Sequence, residues 1–190
     1  VTEMVTGLDL VELQLRVAAG EPLPLNQGEV VRNGAAIEAR IYPEDPVMLL
    51  PTAGRVTKLK EPQGFNVRVD GALYEGYEVQ SFYESMMAKV IVRGKDREAA
   101  IDNLKKALEE YVIDGLVTNI PLVQRALASR SFADAVYDNG SLELILNQAE
   151  AATGNERIAM LAVAMLLNHE QATKAMSSRW KMHGRRALMV

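Results

Sequence analysis

The 190 residues contain no cysteine. Disulfides and thiolate metal sites are thereby excluded. Histidine is almost as scarce. His169 and His183 are the only two, far apart in sequence and a poor basis for an imidazole metal site. Positive charge is not in excess either: the formal net charge is −4 and the sequence pI about 5.3. That balance argues against a nucleic-acid partner. Long apolar runs are missing too. "IAMLAVAMLL", at 158–167, is half of the roughly twenty residues a membrane span needs and reads as a buried helix. No signal peptide follows Val1, and a start at Val rather than Met predicts a fragment or processed product. No G-x-x-x-x-G-K-[ST] loop, G-x-G-x-x-G turn or G-x-S-x-G elbow occurs. From its residues alone, the chain holds no complete active site.

What is present suffices for one domain with a real core, since 48% of the residues are hydrophobic. Asp9 is placed to cap a helix over about 10–19, with Leu10, Leu13 and Val17 as its apolar stripe and Gly20 as its end. Asn33-Gly34 signals a turn. Ala35 to Tyr42 then alternate: Ala35, Ile37, Ala39 and Ile41 on one side, Ala36, Glu38, Arg40 and Tyr42 on the other. Pro43-Glu44-Asp45-Pro46 breaks this strand, and the two acids read as turn residues. "GRVTKLK" (54–60) and "FNVRVD" (65–70) read as a hairpin joined around Pro62 and Gly64, with Phe65, Val67 and Val69 on one face. "MAKVIVRG" is apolar enough for a central strand. Asp96 opens a helix over about 97–112, with Ile101, Leu104, Leu108 and Tyr111 at helical spacing. A further helix starts at Thr118-Asn119-Ile120-Pro121, and a short one runs from Ser141 to about Gln148. The order is helix, antiparallel strands, helices, which predicts an α+β fold with a flanked antiparallel sheet. Residues 1–148 form the expected domain, 149–154 a linker and 155–190 a helical segment.

Arg40 is the residue with most chemical interest. It shares a strand face with Glu38, two residues away. One reading is a weak surface ion pair. The other is a guanidinium aimed at an anion and oriented by Glu38.

Five segments, "VTEMVTGLDLVELQLRVAAGEPL", "GAAIEARIYPEDP", "LLPTAGRV", "FYESMMAKVIVRGKDREAAI" and "IDGLVTNIPLV", resemble the C-terminal part of biotin carboxylase. The resemblance runs from Val1 to about Gln148 and is nearest to the subunits of acyl-CoA carboxylases. It implies part of an ATP-grasp ligase that makes carboxyphosphate from ATP and bicarbonate and carboxylates biotin. It also implies that Arg40, the Arg of E-A-R-I, lies beside the biotin ureido group and is catalytic, with Glu38 and Glu84 supporting that site. The family usually carries Asp where "FYESM" carries Glu84. Phe65 and Arg68 match a segment that contributes to homodimer contacts; the alternative is an ordinary strand with Phe65 in the core and Arg68 in solvent.

Of the family's V-E-H-P-V-T-E motif only Val1-Thr2-Glu3 is present. The resemblance therefore places the ATP contacts, with Mg or Mn, upstream, and the fragment alone is expected to be inactive and to hold no metal. The implied partners are the ATP-grasp region, a biotin carboxyl carrier domain, a carboxyltransferase subunit and a second copy, with no nucleic acid or membrane. Acetyl-, propionyl- and methylcrotonyl-CoA acceptors stay open. A pyruvate or urea carboxylase, or a non-catalytic assembly module, is the rival. The compartment would be the cytoplasm for a bacterial source or the mitochondrion for a eukaryotic one. In the tail, Lys181-Met182 lacks the rest of a biotinylation signature, so Lys181 is not read as a biotin site.

The small, polar "AEAATG" stretch at 149–154 predicts the first site of limited proteolysis. A first cut inside 97–147 would displace that boundary.

Overall fold

The computed structural model describes residues 1–80, 86–138 and 140–146; Glu84, the 149–154 linker and the 155–190 segment lie outside the described residues. Val1–Ile145 forms one compact unit. Its order is α1 (Thr2–Thr6), α2 (Leu10–Ala18), a 3₁₀ turn (Gln27–Glu29), β1 (Ala35–Ile41), β2 (Gly54–Arg55), β3 (Lys58–Lys60) and β4 (Val67–Gly71). There follow β5 (Glu78–Val79), β6 (Ala88–Gly94), α3 (Arg97–Glu110), β7 (Val112–Asp114), α4 (Ile120–Ala128) and α5 (Arg130–Ala133). Residues 141–146 are helical. This is the α+β arrangement expected, and the strand pairings are all antiparallel.

β6 is central in a three-stranded sheet of order β1-β6-β4. Its register aligns Ile37, Val92 and Val67 in one row, Ala39, Val90 and Val69 in the next, and Ile41, Ala88 and Gly71 in the third. Cross-strand β-branched pairs of this kind are favourable. In the third row Gly71 sits close against Ala88: a Cβ on Gly71 would lie 3.0 Å from that of Ala88. α3 covers this face with Ile101, Leu104 and Leu108, all buried. Asp96 starts α3 by accepting from the Ala99 N–H at 2.8 Å, a cap of about 1 kcal/mol. Gly34 enters β1 at φ 74, and a side chain there would strike the Gly94 carbonyl. Glycine is required for both reasons.

Two expectations need correction, the hairpin and the place of Phe65. The 54–60 and 65–70 segments do not form a hairpin. The first breaks at Val56, which is buried, into β2 paired with β5 and β3 paired with β7. β4 instead joins β6, where Val67 and Val69 meet Val92 and Val90. Phe65 is not on the strand face with these valines. It precedes β4 in a turn closed by Val67 N–H to Gly64 O and is wholly exposed, at 101%. The α2 stripe is not buried within the described residues: Leu10 and Val17 are exposed and line an open groove with Leu13, Leu23 and Leu25. The helix itself forms as expected, because Asp9 accepts from Glu12 N–H at 2.9 Å.

Tyr111 closes the core at the end of α3, 5% exposed, and its hydroxyl finds no partner among the described residues. Burial first, and Glu61 second, push its phenol up to about 12 from 10.0. The unfolded chain ionises it earlier, so its contribution to stability is intact below pH 10 and is lost as pH rises toward 12. Melting curves across that range should show this loss. Tyr111→Phe should remove that part of it without lowering the melting temperature at pH 7, because the orphaned hydroxyl contributes no hydrogen bond.

Candidate functional site

Apart from Ile91, which is buried, the outer face of the sheet around β1 carries charged residues because the inner face does not. With Ala39 and Ile41 turned toward α3, the intervening Glu38 and Arg40 face outward. The same register places Glu38, Ile91 and Arg68 in one outer row and Arg40, Lys89 and Asp70 in the next. Glu38 accepts from Arg40 Nε at 3.0 Å. The Arg40 side chain is 59% exposed and that of Glu38 22%. The hydrogen bond to Glu38, with Tyr42 second, pushes the Arg40 guanidinium further above its usual range. Among the described residues, no second carboxylate lies within ion-pair distance of it. The site can therefore present a fixed, oriented cation to an anion or to an oxygen that becomes one.

Arg68 is not free in the same way. It pairs with Asp70 at 2.7 Å and with Glu3 at 3.0 Å, tying α1 to β4, and both carboxylates raise its pKa, Asp70 more than Glu3. Phe65 lies upstream of that cluster, outside the sheet. The structure thus brings Glu38 and Arg40 together and leaves Phe65 apart. Glu84 lies outside the described residues.

Beyond β1, the chain turns through 43–52. Asp45 Oδ1 accepts from Val47 N–H at 2.9 Å and Met48 N–H at 2.8 Å. Those bonds, Met48 first, hold its carboxyl below the usual range, so Asp45 is a turn acid, as its neighbouring prolines suggest. Arg125 of α4 donates to Pro46 O, and Thr52 to Val117 O. The turn is thereby fastened to the segment around α4.

Two residues near Arg40 escaped the sequence reading. Lys89 stands opposite it across the β1–β6 pair, a neighbour visible only once the register is known. Asn119 is buried, accepts from Tyr42 N–H at 2.9 Å and donates to Arg40 O at 3.1 Å. Local pattern showed it only as the start of a helix. No group of three or more His, Cys, Asp or Glu that could hold a metal ion occurs among the described residues. No helix among them is long and apolar enough to cross a membrane.

Biotin carboxylase of Haemophilus influenzae is 48% identical over 132 residues, 70% of this chain and 30% of that protein. The mitochondrial propionyl-CoA carboxylase alpha chain of Caenorhabditis briggsae is 36% identical over 187 aligned positions, 92% of this chain and 24% of that protein. In structure, the chain is similar to the biotin carboxylase domain dimer of Hydrogenobacter thermophilus 2-oxoglutarate carboxylase, solved with MgADP, ADP and bicarbonate. That match has a TM-score of 0.74 and 39% identity, and covers 77% of this chain and 33% of the other. The chain spans about 30% of the first of these relatives. The family description "Biotin carboxylase C-terminal domain" matches residues 38–144, more than half of the chain. Glu38 and Arg40, the central strand and helices α3 and α4 all lie within that match, and the chain belongs to the biotin carboxylase C-terminal domain family.

Proposed function

We propose that this chain forms one wall of the biotin site of a biotin-dependent carboxylase, a ligase driven by ATP and bicarbonate. The observation that carries the reading is the Arg40 guanidinium, outward on the sheet and held at Nε by Glu38. Biotin on its carrier domain supplies a ureido group whose oxygen gathers negative charge as the nitrogen loses its proton. Arg40 meets that oxygen with a charge and donor geometry set beforehand, so little reorganisation is needed. Glu38 fixes the plane of the fork. Glu84 is assigned a supporting role at the same site. The nucleotide and its Mg or Mn ion are assigned to the upstream ATP-grasp region.

The acceptor downstream of biotin is proposed to be an acyl-CoA, delivered to a separate carboxyltransferase. The propionyl-CoA carboxylase relative, aligned over 92% of this chain, supports this. The 2-oxoglutarate carboxylase neighbour keeps a 2-oxo acid as the rival acceptor. Phe65 supports a subunit interface: an aromatic ring wholly in solvent is a ready anchor for a second copy. In that arrangement Arg68 serves mainly to hold Glu3 and Asp70.

Arg40→Lys in the complete subunit keeps the charge and loses the planar fork. Biotin carboxylation should fall on the order of 10²- to 10³-fold, with nucleotide affinity and melting temperature unchanged. A variant that carboxylates biotin at the parent rate returns Arg40 to a surface ion pair. Phe65→Ser should shift sedimentation of the subunit toward the monomer without lowering its melting temperature. An unchanged association state removes Phe65 from the interface.

A further inference from the structure

Asn119 is placed to cap α4, yet its side chain makes no capping bond to that helix. An Asn at this position ordinarily accepts from the N–H groups of the first turn. Here the amide is diverted to β1, 77 and 79 residues away in sequence. It is 7% exposed, and both ends of its amide are used.

The target is as specific as the donor. β1 is an edge strand, with β6 on one side only. Ile41 O is taken by Met87 N–H at 2.8 Å. Arg40 O and Tyr42 N–H accordingly point to the free edge, where they would need partners. Asn119 Nδ2 donates to Arg40 O and its Oδ1 accepts from Tyr42 N–H, and its own backbone N–H donates to Tyr42 O at 3.1 Å. Bonds to the carbonyl before and the amide after one residue reproduce what a parallel strand would make opposite Ile41. One side-chain amide stands in for that strand.

We propose that Asn119 is a positioning residue for Arg40: its side-chain amide locks the edge-strand backbone on both sides of Ile41, and so fixes the point from which the Arg40 guanidinium projects. The proposal rests on the reading of Arg40 as the cation of the biotin site. Among the described residues of β1, the segment at Arg40 is the one held by a side-chain amide, which is what a guanidinium that must not shift by an ångström requires.

The experiment compares Asn119→Asp, Arg40→Lys and the double variant in the complete subunit. Asn119→Asp keeps an acceptor for Tyr42 N–H and turns an oxygen toward the Arg40 carbonyl in place of a donor. Its biotin carboxylation should fall on the order of 10- to 100-fold, with nucleotide KM unchanged. In the Arg40→Lys background the same change should cost little more, because the group it positions is already lost. Equal losses in both backgrounds, or a folded Asn119→Asp at the parent rate, overturn the positioning role. If Arg40→Lys alone keeps the parent rate, the biotin-site reading itself fails and takes this role with it. Should Asn119→Asp fail to fold, amide exchange on the unmodified chain decides. Tyr42 N–H should exchange as slowly as the β1–β6 ladder, and exchange as fast as an open edge would refute the clamp.

Discussion

The pairing of β6 with both β1 and β4 is the constraint on which the rest of the structure depends. The side-chain period of a strand is two, so a slip of one residue would exchange its faces. In this register Val90 and Val92 meet Ala39, Ile37, Val69 and Val67 beneath α3. The penalty for burying Glu38, Arg40, Lys89 or Asp70 in their place excludes the alternative. Hydrophobic selection on one side of the sheet thereby decides which side carries charge. Arg40 is outward because Ala39 and Ile41 are inward.

A face defined this way sets direction but not precision. β1 sits at an edge, and edge backbone is the part of a sheet most free to shift. Three features restrain the end of β1. Asn119 occupies the missing partner's place beside Arg40 and Tyr42. Asp45 closes the turn that follows. Arg125 and Thr52 tie that turn to α4 and the segment before it. The first and third connect β1 or its exit to residues some 65 to 79 positions away, while Asp45 acts within its own turn. The helix that gives up its side-chain cap is also the one that supplies the clamp, so local stability of α4 is exchanged for order at β1.

The charged groups of this face differ in what remains available to them. Arg68 is engaged by two carboxylates from two elements. Arg40 has one, on its own strand and at Nε. That difference, more than charge itself, is why Arg40 is the cation proposed to meet a ligand. Phe65 differs again: it lies outside the sheet and is wholly exposed rather than in the core.

Much of the fold was legible in the sequence, and the reasons are local. Alternation in 35–42, the apolar run in 88–92, the Asp9 and Asp96 caps and the helical spacing from Ile101 to Tyr111 each follow from backbone geometry within a few residues. The E-A-R-I and neighbouring segments added the family. Pairing was not legible, because a strand does not carry its partner's address. The 54–60 segment looked continuous, and only packing decided that Val56 is buried and its flanks serve β5 and β7. Nor could spacing show that Asn119 would serve β1 rather than its own helix, since an amide chooses the partner that burial leaves unsatisfied. The sequence by itself determined the longer elements, from β1 and β6 to α2 and α3, and the residue types along them. The tertiary structure alone decided which strand lies beside which, and what holds Arg40 in place.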